Sequence, residues 1–184
     1  MIYGERLRLR APERSDIPLF HAWLNDEEVT AGLTIYLPLS LADEEAWFEN
    51  MLKQPADQHP LVIEILEGDL WRPIGNCGFH NIDGRSRVGE VGIFIGVKSC
   101  WNQGYGTEAM RLLLRHGFQT LNLNRIFLRV YETNERAIRS YERAGFIHEG
   151  RLRQAEYKHG RYSDILLMSV LRSEWDQPGL KGGG

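Results

Sequence analysis

The chain has 184 residues, 42% hydrophobic and 26% charged, which is the size and mix of one globular domain that can bury a core without disulfides or structural metal. Its 22 Lys and Arg against 25 Asp and Glu give a formal net charge of -3, so no global positive field exists to hold a nucleic acid. Cys77 and Cys100 lack disulfide or zinc spacing, Met1 to Arg10 lacks an apolar leader, and no stretch nears the roughly 20 apolar residues of a membrane span, so a cytoplasmic protein that binds no membrane is expected.

Arg6-Leu7-Arg8-Leu9-Arg10 alternates with the period of a half-buried strand and ends at Pro12. Ser15 is positioned to cap a short helix with an apolar stripe of Ile17, Phe20, Trp23 and Leu24. An acidic loop follows from Asp26 to Thr34, and Ser40 to Asp43 resembles a capping box ahead of a helix that buries Trp47, Phe48, Met51 and Leu52. Leu61 to Leu66, Trp71 to Ile82 and Arg87 to Val97 read as three strands of an antiparallel meander, joined by turns at Gly68 and Gly84. From Gly104 the period becomes helical through Ala109, Met110, Leu113, Leu114, Gly117, Phe118 and Leu121. Arg125 to Glu132 returns to strand, Thr133 or Asn134 caps a helix that stops at Gly145, and strands Arg151 to Lys158 and Tyr162 to Leu171 pair through His159-Gly160. Residues 1–175 read as one domain, and 176–184 as a disordered tail.

The strand Glu90 to Val97, the loop Trp101-Asn102-Gln103-Gly104-Tyr105-Gly106-Thr107 and the helix after it form an anion site. Backbone amides from Gln103 to Thr107 are unpaired at a helix start, the dipole adds positive potential, and two glycines let a phosphate approach. A Walker loop is excluded because no lysine is near. Gly104, Gly106 and Ala109 match a dinucleotide fingerprint, but the expected parallel unit is missing from the meander and Asn122, Asn124 and Arg125 stand where a ribose-binding acid belongs.

Taken with Asn134 to Phe146, and with Glu149-Gly150 followed by Gly160-Arg161-Tyr162-Ser163-Asp164, the passage Glu90 to Ala109 resembles the GNAT N-acetyltransferases. The likeness is to the branch of ribosomal-protein N-terminal and polyamine acetyltransferases. The resemblance implies an α/β single-domain fold, a mixed and mostly antiparallel sheet flanked by helices, with a V-shaped gap in mid-sheet that receives acetyl-CoA. It implies that the backbone of Phe94, Ile95, Gly96 and Val97 pairs with the pantetheine arm and that Gln103, Gly104, Tyr105, Gly106 and Thr107 hold the pyrophosphate. Asn134, Ala137 and Tyr141 would lie along the arm. Trp101 departs from the Arg or Gln usual at the start of this loop, which leaves phosphate binding there to the backbone.

Direct transfer of an acetyl group from the thioester to a primary amine follows from the resemblance, with Tyr141 as the general acid that protonates the departing thiolate. The attacking amine has to lose a proton, since an alkyl ammonium has a pKa near about 10.4. Glu90, opening the strand that borders the thioester, is the candidate base. Asp164 is expected to hydrogen-bond structurally, and His80 to be a structural histidine. Trp23 with Asp26, Glu27 and Glu28, or Asp43, Glu44 and Glu45, are candidates to receive a cationic amine. The six histidines lack metal-ligand spacing, so no metal is expected. The expected partner is a small-molecule amine or a peptide N-terminus, and the family likeness adds a homodimer. Two alternatives stand beside this one: an acyl-CoA-binding module without turnover, and a dinucleotide-dependent enzyme.

Overall fold

In the computed structural model, which describes residues 1–176, Leu7 and Leu9 are fully buried while Arg8 and Arg10 on the opposite face reach Glu64. This alternation makes strand Leu7–Arg10 (β2), and an edge strand of two residues, Ile2–Tyr3 (β1), pairs with it. Helix Ile17–Leu24 (α1) starts one residue later than Ser15 suggests, after Asp16, whose buried carboxylate is gripped by both Nη atoms of Arg10 at 2.7 and 2.8 Å. A short helix Glu27–Thr30 (α2), capped by Asp26, occupies the acidic loop. Helix Leu41–Met51 (α3) begins at the expected capping box, where the Asp43 amide donates to Ser40 Oγ at 3.1 Å and the Ser40 amide to Asp43 at 2.8 Å.

The meander is formed by Leu61–Glu67 (β3), Leu70–Asp83 (β4) and Val88–Ile95 (β5), all antiparallel neighbours. Helix Tyr105–Gln119 (α4), strand Arg125–Tyr131 (β6) and helix Glu135–Ala144 (α5) follow, and Gly145 ends α5 at φ 108°. The chain then forms Ile147–Lys158 (β7), Arg161–Leu171 (β8) and a last turn Arg172–Trp175 (α6). β7 begins earlier than its composition suggests because it is an edge strand exposed along most of its length, with little apolar alternation to read. Of the tail expected from 176 on, Asp176 instead ends α6, its amide donating to the Arg172 carbonyl at 2.9 Å, and residues 177–184 lie outside the described residues.

Eight strands stand in the order β1-β2-β3-β4-β5-β6-β8-β7. β5 and β6 are the parallel pair, joined through α4, so the parallel unit that the sequence was expected to lack is present. It is paired at only three positions, Val88 with Arg125, Gly89 with Ile126 and Glu90 with Phe127. Beyond Glu90, β5 continues to Ile95 and β6 to Tyr131 without pairing with each other, which makes the gap in mid-sheet.

β5 stops short of Val97 because the amides of Gly96 and Val97 both donate to the Ile74 carbonyl, at 2.8 and 3.1 Å, the pattern of a bulge. Gly96 is required there: a Cβ would stand 2.2 Å from the Trp23 ring. One face of the sheet packs Cys77, Phe79, Val91, Ile126, Leu128 and Val130 against α4. The other buries Val62 beneath Phe20, Trp23 and Val29 from α1 and α2, with Phe94 and Trp101 at the margin. Among the described residues no helix is long and apolar enough to cross a membrane.

Candidate active site

The gap opens into a cleft walled by Ile93, Phe94 and Ile95 of β5, Arg129 and Val130 of β6, the start of α4 and one face of α5. Gly104 caps α4 in the left-handed region at φ 85°, and the first bond within the helix is the Glu108 amide to the Gly104 carbonyl at 3.0 Å. The helix itself therefore offers no acceptor to the amides of Tyr105, Gly106 and Thr107, and all three residues line the cleft. Gly106 also sets how closely the helices meet, since a Cβ there would lie 3.3 Å from Ser140 Oγ, which is bonded to Thr107 Oγ1 at 3.0 Å.

Asn134, Ala137 and Tyr141 of α5 complete the expected set on the cleft wall. Asn134 Oδ1 caps α5 by accepting from the Ala137 amide at 3.2 Å. Gly96, Val97 and Gln103 stand beside the cleft instead of lining it. The first two direct their amides to Ile74, and the Gln103 side chain donates to the Ser99 carbonyl. Of the Phe94 to Val97 backbone, the Ile95 carbonyl accepts from the Trp101 indole at 2.8 Å.

Four arginines that the sequence did not single out line the same cleft: Arg129, Arg136, Arg139 and Arg143. The last three recur at helical spacing on one face of α5, a pattern readable from sequence once the neighbouring loop is taken as a phosphate site. Free helix amides and guanidinium groups at one end, and a narrow gap edged by Ile93, Phe94 and Val130 at the other, fit the phosphates and the pantetheine arm of acetyl-CoA. Among the described residues no group of three or more His, Cys, Asp and Glu is placed to hold a metal ion.

Tyr141 is buried against Phe146, with ring centroids 5.9 Å apart, and burial pushes its phenol up to about 12. It is a neutral hydroxyl at any physiological pH. Glu90, at the point where the strands part, is also buried. It accepts from Arg129 Nε at 2.8 Å, from Arg129 Nη2 at 3.0 Å and from Asn81 Nδ2 at 3.3 Å. Burial alone would raise its pKa, but the Arg129 guanidinium and the Asn81 amide outweigh it and hold the carboxyl below its ordinary value. His80 stands across β4 with Nε2 3.9 Å from Glu90 Oε1. Burial and, against the pull of Glu90, the charge of Arg129 lower its pKa, so the imidazole is neutral near pH 7. Gly92 leaves space for that ring, since a Cβ there would be 2.9 Å from His80 Cε1.

Of the acidic residues expected to receive an amine, Asp26, Glu28, Asp43 and Glu45 have partners within the chain. Lys98 Nζ pairs with Asp26 at 2.8 Å and Glu28 at 2.5 Å, Asp43 is used in the α3 cap, and Glu45 pairs with Arg14. Glu44 is buried, and its desolvation raises its pKa. Asp164 holds the β7 bulge, accepting from the Gln154 amide and Arg151 Nη1, each at 2.8 Å.

A family model described as an acetyltransferase (GNAT) domain matches residues 6–147. The uncharacterized N-acetyltransferase p20 of Bacillus licheniformis is 33% identical over 95% of this chain and 97% of its own. YdaF of Bacillus subtilis, whose name provisionally assigns it ribosomal N-acetylation, is 34% identical over 94% of this chain and 95% of its own. Among solved structures, the spermidine N-acetyltransferase of Vibrio cholerae in complex with CoA and spermine superposes with a TM-score of 0.83 at 27% identity, covering 92% of this chain and 98% of that one.

Proposed function

The chain belongs to the GNAT acetyltransferase family and is an acetyl-CoA-dependent N-acetyltransferase, and from that premise we propose how its residues divide the work and which acceptors they serve. The acceptor is a primary amine, on a polyamine, another small amine or a protein N-terminus. Names of relatives favour these classes, one being a spermidine acetyltransferase and another named for ribosomal N-acetylation. The observation that carries the proposal is the parting of β5 and β6 after Glu90, directly beside the open amides of α4 and the buried Tyr141.

Acetyl-CoA supplies an acetyl group activated as a thioester. The amides of Tyr105, Gly106 and Thr107 bind its phosphates, with Arg136 beside them, and the β5 edge at Phe94 and Ile95 orients the arm. Tyr141 keeps a proton on its hydroxyl inside the cleft, where a departing thiolate needs one. Glu90 and His80 together take the proton that the ammonium must lose. Glu90 is held low by Arg129 and fixes the geometry, while the neutral imidazole 3.9 Å away accepts the proton directly or through water. Two unpaired cysteines, both buried, suit a cytoplasmic location, and residues 1–175 are taken as the catalytic domain.

Release of CoA from acetyl-CoA, followed with a thiol reagent over spermidine, spermine, an aminoglycoside, an amino sugar and short peptides, tests the proposal. Amine-dependent release with one class names the acceptor. Tight acetyl-CoA binding with no release on any amine would leave the proposed acceptors without support.

A further inference from the structure

Of the three arginines in the opening alternation, Arg8 and Arg10 both donate to the buried carboxylate of Glu64. Arg6, one residue ahead of β2, turns instead to the start of α4. Its backbone amide and its Nε donate to the two carboxylate oxygens of Glu108, both at 2.9 Å, and its Nη1 donates to the Gln103 carbonyl at 3.0 Å. The guanidinium also lies over the Tyr105 ring, with Cζ 4.8 Å from the centroid. Nη2 comes so close to Gly104 that a Cβ there would stand 3.2 Å away. One side chain from the far end of the sequence thus touches both sides of the turn that opens α4.

The peptide between Gln103 and Gly104 is trans, so a carbonyl turned onto Arg6 points the Gly104 N–H the opposite way. Gly104 lines the cleft, Arg6 stands behind the loop, and among the described residues the Gly104 amide has no acceptor. Glu108 adds an electrostatic reason for the clamp. A carboxylate in the first turn suits the helix dipole, but left unpaired it would repel a phosphate bound at the same end. Arg6 meets that charge at both oxygens. The loop from Trp101 to Thr107 has no lysine or arginine of its own.

We propose that Arg6 is a positioning residue for the phosphate loop. It holds the Gln103–Gly104 peptide with its N–H toward the cleft, adding a fourth amide to those of Tyr105, Gly106 and Thr107, and it neutralises Glu108 so that the helix start can take a pyrophosphate. This rests on the reading of the α4 amides as the phosphate site.

The test measures CoA affinity by calorimetry, and kcat/KM for acetyl-CoA against S-acetylpantetheine, which keeps the thioester and most of the arm but has no phosphate. Arg6→Gln is expected to weaken CoA about tenfold and to act on KM for acetyl-CoA more than on kcat, while S-acetylpantetheine loses little. Adding Glu108→Gln to Arg6→Gln should return part of the affinity, because the unpaired carboxylate is gone while the peptide stays unclamped. If Arg6 only ties β2 to α4, Arg6→Gln lowers the melting temperature and leaves CoA affinity and the ratio of the two donors fixed, which overturns the proposal. Equal losses for both donors also overturn it. Should Arg6→Gln not fold, Arg6→Lys keeps the charge but cannot span Glu108 and Gln103 together; a smaller, still donor-selective loss supports the proposal, and unchanged CoA affinity overturns it. Gly106→Val tells this failure from that of the reading beneath it. CoA binding lost in Gly106→Val but kept in Arg6→Gln removes Arg6 alone, and binding kept in both removes the phosphate site as well.

Discussion

Arg136 Cζ lies 3.7 Å from the centroid of the Trp101 ring, and the indole of Trp101 is itself fixed by its bond to the Ile95 carbonyl. The family loop usually begins with Arg or Gln where this chain has Trp101. A guanidinium from α5 therefore reaches the cleft that α4 opens onto, carried on the face of the residue that replaced the usual donor. Arg136→Ala is expected to weaken CoA binding about tenfold by calorimetry, with Lys restoring only part because it lacks the planar stack. Trp101→Ala should act in the same direction. Unchanged affinity in Arg136→Ala would remove this arginine from the phosphate site.

Tyr141→Phe is expected to lower kcat by roughly 10²-fold or more while leaving the melting temperature nearly unchanged, since the ring packing against Phe146 is kept. The folded Tyr141 loses its proton only near pH 12, so no fall in rate at lower alkaline pH should trace to its ionisation. Full turnover in the phenylalanine variant would assign the proton to another donor.

Glu90 and His80 make stability depend on acid in separable ways. The Glu90 pKa is lower folded than unfolded, so its contribution is present above its unfolded value of about 4.3 and disappears as pH falls through the folded value. Glu90→Gln should cost about 1–3 kcal/mol in urea melts at neutral pH, and the cost should vanish in acid. The His80 pKa is also lower folded, which for a base means that stability is lost as pH falls below about 6.5, because the unfolded chain takes the proton more readily. His80→Gln should flatten the slope in that higher window alone. The acid limb of kcat/KM should move in His80→Gln if the imidazole accepts the amine's proton, and an unmoved limb would exclude it.

Gly96→Ala places a methyl group within 2.2 Å of the Trp23 ring and displaces either the ring or the bulge at Ile74. A cost of about 1–3 kcal/mol is expected, read as a lower melting temperature. Because Trp23 also packs on Phe94, at 6.2 Å between ring centroids, acetyl-CoA affinity should fall with stability.

What the sequence made legible was local. The strand, glycine loop and helix from Glu90 through Ala109 are adjacent in the chain, and the capping signals at Ser40, Asn134 and Gly145 act within a turn, so each was found where it stands. What it hid was paired at long range. Asp26 and Glu28 looked free to receive an amine because Lys98, their partner, is 70 residues from Glu28. Tyr36 and Glu156, or Arg129 and Glu90, share no spacing that a periodicity could expose. Even the parallel pairing of β5 with β6 was masked, since three rungs leave almost no trace in composition.

Those three rungs also divide one sheet into two rates of solvent exchange. Amides near Gly89 and Glu90 are locked in the ladder and open only with the fold around them, whereas β5 and β6 beyond Glu90 have edges with no strand between them. In deuterated water the free enzyme should label the sheet from its interior outward along Ile93, Ile95 and Arg129, while the strand ends at Val88 stay dark. A bound pantetheine arm would act as the absent strand, and the sheet would reach full protection only with its substrate in place.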